Sequence, residues 1–174
     1  MLRNFNLLAT TSRGTEAYAC SELSYLLGEI GDSAPNVDRT GVSGLIAAKT
    51  AFDPFDVIEK LREILRERPY EFRYTLRLIP IEKVVRTNLG EIERVAAELS
   101  LKIKKNETFR ITLEKRFTQT HTQDIIEAAA ANIKREVNLS NPDKILLIEV
   151  VGELTGLSLI KPDEILAILK EKML

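Results

Sequence analysis

One cysteine, Cys20, in a chain of 174 residues excludes an intramolecular disulfide, and its place in the apolar-periodic stretch 17–27 gives it a small packing role rather than that of a catalytic thiol. With one histidine, His121, and no cluster of Cys and His, the chain has too few soft ligands for a tetrahedral zinc site, so no metal is expected. No run of about 18 apolar residues occurs, and the N-terminus MLRNFNLLAT has no long apolar core ahead of a small-residue cleavage site. Neither a membrane span nor a signal peptide is read, and a cytoplasmic protein is expected. A large charge of one sign is also missing: 25 Lys and Arg against 26 Asp and Glu give a formal net charge of -1, so no global positive field advertises nucleic acid.

Catalytic signatures are equally sparse. Gly28 with Gly31, and Gly41 with Gly44, match neither the dinucleotide nor the nucleoside-triphosphate loop. No serine sits in a nucleophile elbow, and the paired acids Asp53/Asp56 and Asp163/Glu164 fall at helix starts, where they complement the helix dipole. The expectation is a non-enzymatic protein without a cofactor.

What is present is a 44% hydrophobic fraction, enough for a real core, and an uneven charge distribution. Residues 61–120 hold 14 basic and 9 acidic groups, net +5, while the segments on either side are each net -3. Along the first half, a strand over 4–10, a helix over 15–27, a hairpin of 36–40 with 45–50, a helix capped by Asp53 with Pro54 in its first turn, and a strand over 72–80 give the order β-α-β-β-α-β, a ferredoxin-like arrangement. Arg62, Arg66, Arg73 and Arg77 alternate there with Glu63, Glu67 and Glu71, a pattern read as a solvated, ion-paired face. A division after residue 86 separates this half from a second α/β half, 87–174. The second half reads as a helix over 87–101, the basic connector 102–106, a strand over 107–115, a helix over 124–137, strands over 144–151 and 154–160, and a final helix after Pro162. The class is α/β in the broad sense, with helices and strands mixed in both halves.

The run Phe109–Gln123, FRITLEKRFTQTHTQ, is the most informative stretch. A strand ends in two adjacent cations, Lys115 and Arg116, and then in Thr118, Gln119, Thr120, His121, Thr122 and Gln123, just ahead of an amphipathic helix. Hydroxyl and amide groups contact phosphate and 2′-hydroxyl without demanding a base sequence, and the following helix N-terminus offers outward N–H groups. Arg110 is grouped with them as a strand cation, and both Lys115 and Arg116 are expected to be exposed, so that their removal costs little stability.

Four segments of this half, RITLEKRF from Arg110, THTQDII, NLSNPDKILLIEVVGE and GLSLIKPDE, together resemble the THUMP domain, an RNA-binding module of tRNA-modifying proteins. The ferredoxin-like half is similar to the small domain that accompanies THUMP in many of those proteins, with RLIPIEKVV and LGEIERVAAEL resembling the joint. GLSLIKPDE resembles the standalone branch that acts as an adaptor in tRNA cytidine acetylation. The resemblance implies a non-catalytic accessory protein that grips the acceptor end of tRNA, with its unpaired 3′ terminus, and presents it to an acetyltransferase or another modifying enzyme. Lys161 within GLSLIKPDE and the strand arginines Arg73 and Arg77 of the first half are further candidates for contacting RNA. A ligand-sensing or oligomerising ferredoxin-like module without RNA is the alternative reading.

Overall fold

A computed structural model describes residues 1–174 and divides them into two compact units, Met1–Ile81 with Glu164–Leu174, and Glu82–Asp163. The sequence expectation placed a single division after residue 86, with everything beyond it in the second half. The tail from Glu164 belongs instead with the N-terminal unit, because Leu166 and Ala167 pair with Leu78 and Arg77 as a fifth strand. No helix is long and apolar enough to cross a membrane.

The N-terminal unit runs β1 (Leu7–Thr10), α1 (Glu16–Glu29), β2 (Asn36–Arg39), β3 (Leu45–Lys49), α2 (Pro54–Glu67) and β4 (Arg77–Pro80). Its sheet has the order β10-β4-β1-β3-β2, where β10 is Leu166–Ala167, and every pairing is antiparallel. This is the ferredoxin-like arrangement with one added edge strand. Alternate residues Leu7, Ala9, Ile46, Ala48 and Leu78 face Leu23, Leu26 and Leu27 of α1 and Ile58, Leu61 and Leu65 of α2 in one core. Asp53 caps α2 as expected, its Oδ1 accepting from the N–H of Phe55 at 2.8 Å. Gly44 closes the hairpin at φ +77, where any Cβ would lie 2.8 Å from the carbonyl oxygen of Thr11.

Two expectations change in this unit. Arg62 is not part of a solvated face: it is buried, and its Nε donates to Glu171 of α5 (Ile168–Lys172) at 3.1 Å while Nη1 reaches Glu59. The strand expected over 72–80 begins only at Arg77. The backbone N–H groups of Arg73, Tyr74 and Thr75 all donate to the carboxylate of Glu22, at 2.6 to 3.1 Å, and three successive donors aimed at one group cannot alternate as a β-ladder requires.

Asp32 supports the loop that joins β3 to α2. Its Oδ2 accepts from Thr50 Oγ1 at 2.7 Å and from the Ala51 N–H at 3.1 Å, and Oδ1 from the Ala34 N–H at 3.2 Å. The Thr50 hydroxyl, followed by the two backbone donors, holds this carboxyl below its ordinary value despite burial, which pushes the other way. A depressed folded value stabilises the fold above the unfolded value of about 3.9 and stops doing so as pH falls through the folded one. Asp32→Asn is therefore expected to lower stability on the order of 2 kcal/mol near neutrality. The gap to wild type should close below about pH 4 in denaturation curves taken across pH; a gap independent of pH would refute this role.

The second unit contains β5 (Lys83–Arg86), α3 (Leu89–Ser100), β6 (Thr108–Arg116), α4 (Thr122–Ala130), β7 (Glu136–Val137), β8 (Lys144–Val151) and β9 (Leu154–Ile160). The sheet order is β5-β9-β8-β6-β7, with β6 parallel to both β7 and β8 and the remaining pairs antiparallel. Ile92, Val95, Ala96 and Leu99 of α3 and Ile125 and Ala129 of α4 cover one sheet face, packing on Phe109, Leu146, Ile148, Val150 and Leu157. The near-continuous apolar run of β8 matches a strand buried along its whole length.

Helix α4 stops at Ala130 rather than near residue 137. Arg135 Nε donates to the carbonyls of Ile103 and Lys104, both at 3.1 Å, and Glu136 and Val137 pair with Thr108 and Phe109. Edge pairing with a distant strand thus overrides the helical propensity of the segment.

Candidate nucleic-acid interface

The parallel alignment of β6 with β8 brings the C-terminal ends of both to one edge of the sheet, and three hydrogen bonds tie that edge together. The Gly152 N–H donates to the Arg116 carbonyl at 2.7 Å, the Thr87 N–H to the Glu153 carbonyl at 2.8 Å, and Thr87 Oγ1 to the Gly152 carbonyl at 2.8 Å. Gly152, at φ +63, makes the tight turn between β8 and β9. Because β5 ends at this turn and β6 ends beside it, the two helices that follow them both begin here. The N-termini of α3 and α4, with their partial positive charge, therefore share one edge.

The two ends differ in how they are closed. Asn88 caps α3, its Oδ1 accepting from the Glu91 N–H at 3.1 Å, whereas no side chain caps α4, whose N-cap position is His121. Exposed side chains of Gln119, His121 and Thr122 surround the open end. Thr118 and Thr120 are partly turned inward: Thr118 Oγ1 donates to Thr120 Oγ1 and accepts from the Thr120 N–H, each at 3.2 Å. Gln123 donates to Glu127 one turn further along α4, at 3.1 Å.

The adjacent cations part company, because successive residues of a strand point to opposite faces. Lys115 shares its face with Phe109, Ile111 and Leu113, the side that carries the helices, and its Nζ donates to the Thr120 carbonyl at 3.0 Å. It is exposed and has no acidic partner. Arg116 lies on the other face and pairs with Glu149 Oε2 at 2.7 Å; the two side chains are 18% and 2% exposed. The expectation of two equivalent exposed cations is corrected here, since Arg116 is committed to a buried carboxylate.

The remaining sequence candidates lie elsewhere. Arg110 is six residues back along β6, roughly 20 Å at about 3.3 Å per residue, and its Nη1 donates to the Leu139 carbonyl at 3.0 Å. Lys161 follows β9 at the end where Ile160 faces Ile145, the start of β8, so it too belongs to the opposite end of the sheet. Arg73 and Arg77 are exposed in the N-terminal unit. The structure thus brings together Lys115, Thr118, Gln119, Thr120, His121, Thr122 and Gln123, and separates them from Arg110 and Lys161.

Two residues of this edge were not singled out in the sequence. Arg86, exposed at the end of β5, sits across from Leu154 beside the turn; the short KVVR strand that positions it is visible only through its pairing with β9. Phe117 follows β6 directly, in the left-handed region at φ 57, with 75% of its surface exposed. For a residue with a Cβ that conformation costs roughly 1–2 kcal/mol, and glycine would adopt it freely.

Residues 86–160 match the family model of the THUMP domain, and the chain carries a THUMP domain over that span. THUMP domains bind RNA and occur in tRNA-modifying enzymes. No curated protein matches the chain in sequence. Among solved structures it is similar in fold to PH1313 from Pyrococcus horikoshii Ot3, with a TM-score of 0.70 and 18% identity over 91% of this chain and 55% of that one. TrmN from Thermus thermophilus gives a TM-score of 0.60 and 21% identity over 90% of this chain and 45% of that one. A 4-thiouridine synthetase in complex with RNA and ATP gives 0.52 and 15% over 92% and 42%. The chain spans about half the length of these structures.

Proposed function

We propose that this protein binds tRNA at its acceptor end, including the unpaired 3′ terminus, and presents it to a modifying enzyme without catalysing the modification itself. The observation that carries the reading is the edge of the THUMP domain where Lys115, an uncapped helix N-terminus and a row of hydroxyl and amide groups lie together, with Arg86 at the same end of the sheet three strands away. Cations and helix N-H groups suit phosphates, and neutral donors suit phosphate and 2′-hydroxyl oxygens, so the edge fits an RNA backbone without reading bases by hydrogen bonds. The likeness of GLSLIKPDE to the acetylation adaptors supports cytidine N4-acetylation as the modification, with a tRNA acetyltransferase as the partner.

The test compares intact tRNA with tRNA lacking its terminal unpaired nucleotides. Intact tRNA is expected to bind on the order of 10-fold tighter, because the removed bases are the ones free to be splayed out and contacted. Equal affinity would overturn end recognition, and no binding of either at low salt would overturn the RNA reading. For the adaptor role, cytidine acetylation by the purified acetyltransferase should rise when the protein is added, and the protein alone should give none.

A further inference from the structure

Phe117 is the one apolar side chain in the run Lys115–Gln123, and it projects from the edge that the RNA-binding reading assigns to phosphates. The residue is 75% exposed, and neither another aromatic ring nor a cation packs on its ring. Its neighbours Lys115, Thr118, Gln119 and Thr120 are all polar. A protein-docking surface needs a contiguous apolar patch; a single exposed ring flanked in the chain by one free cation, Lys115, and by hydroxyl and amide groups suits one nucleobase and its adjoining phosphate.

We propose that Phe117 is a stacking platform for one unpaired base of the bound RNA, while Lys115 and the open N-terminus of α4 take the phosphates beside it. The inference rests on the RNA-binding reading and adds to it a requirement for single strand. Every base has a π-face, so such a platform favours unpaired over paired nucleotides without selecting a sequence. A base inside a duplex already stacks on its neighbours and gains nothing from the ring.

The test uses an RNA hairpin with a short unpaired 3′ overhang containing 2-aminopurine, a blunt hairpin of the same stem, and full-length protein carrying Phe117→Ala, Phe117→Gly, Phe117→Tyr or Lys115→Ala. Phe117→Ala is expected to weaken overhang binding roughly 10-fold, to leave blunt-hairpin binding unchanged, and to abolish the quenching of 2-aminopurine seen with wild type. Phe117→Tyr should retain both affinity and quenching. Phe117→Gly should lose affinity like the alanine variant yet melt at or above the wild-type temperature, because glycine relieves the left-handed backbone; this separates a lost ring from a damaged fold. If the alanine and glycine variants bind the overhang as wild type does while Lys115→Ala binds it more weakly, stacking is overturned and the phosphate-binding edge stands. Equal weakening toward overhang and blunt hairpins also overturns it. If wild-type protein binds neither hairpin, the RNA-binding reading falls, and the platform with it.

Discussion

Arg116→Ala is expected to destabilise the protein by about 3–5 kcal/mol, the usual cost of removing one partner from a buried ion pair, whereas Lys115→Ala should change stability by no more than about 0.5 kcal/mol. The difference follows from the strand's alternation. Lys115 reaches out to the Thr120 carbonyl and is exposed, but Arg116 turns to the other face, where its Nη1 lies 2.7 Å from a Glu149 carboxylate that is only 2% exposed. Losing the guanidinium takes an ion-pair contact away from that carboxylate in a site from which water is largely excluded. The double variant Arg116→Leu with Glu149→Leu should recover much of the loss, because apolar side chains of similar size remove the desolvation cost along with the pair. Urea midpoints measure all of these, and equal midpoints for the Lys115 and Arg116 variants would refute the division of labour. RNA binding by the Arg116 variant is informative only under conditions where it remains folded.

Features governed by local pattern were legible in the sequence. The inner face of α3, the Asp53 cap of α2 and the β8–β9 hairpin follow from helical spacing, capping chemistry and apolar continuity, and the structure places each where those rules put it. Features decided by a distant partner were not. β5 and β10 are four and two residues long and exist because β9 and β4 pair with them. The segment 72–76 has alternating apolar residues but surrenders its N–H groups to Glu22, some 50 positions earlier. The candidate site divides along the same line. The polar run from Thr118 to Gln123 is compact because it is one loop and one helix start, so sequence proximity is spatial proximity. Arg110 shares a strand with Lys115 yet lies at the other end of it, and the partner of Arg116 is 33 residues away on the next strand. The backbone of Phe117 is left-handed although its sequence context, the close of a β-patterned run, gives no glycine or asparagine to announce it.

Binding of tRNA is expected to weaken roughly 20- to 40-fold between 50 and 200 mM monovalent salt, corresponding to about three phosphates neutralised at 0.7–0.9 in log–log slope each. The number is small because the formal charge of the chain is -1 and the edge itself offers Arg86, Lys115 and two helix N-termini rather than a continuous basic groove. Several other cations of this unit are ion-paired: Lys102 with Glu82, Lys144 with Glu107, and Arg94 with Glu91 and Glu98. Lys115→Ala should therefore lower the slope by about 0.7–0.9 and reduce affinity at every salt concentration, with the fold unchanged. Lys105→Ala is the matched control. It removes an exposed cation from the connector that leads into the start of β6, a strand length of roughly 25 Å from the edge, and should leave both slope and affinity as they are. Fluorescence anisotropy of labelled tRNA, titrated at four or more salt concentrations, gives the slopes directly. A salt-independent affinity would show that phosphate neutralisation does not drive binding. A slope lowered by Lys105→Ala and not by Lys115→Ala would move the RNA to the opposite end of the sheet, where Lys104, Lys105 and Lys134 are exposed near the ends of β6 and α4.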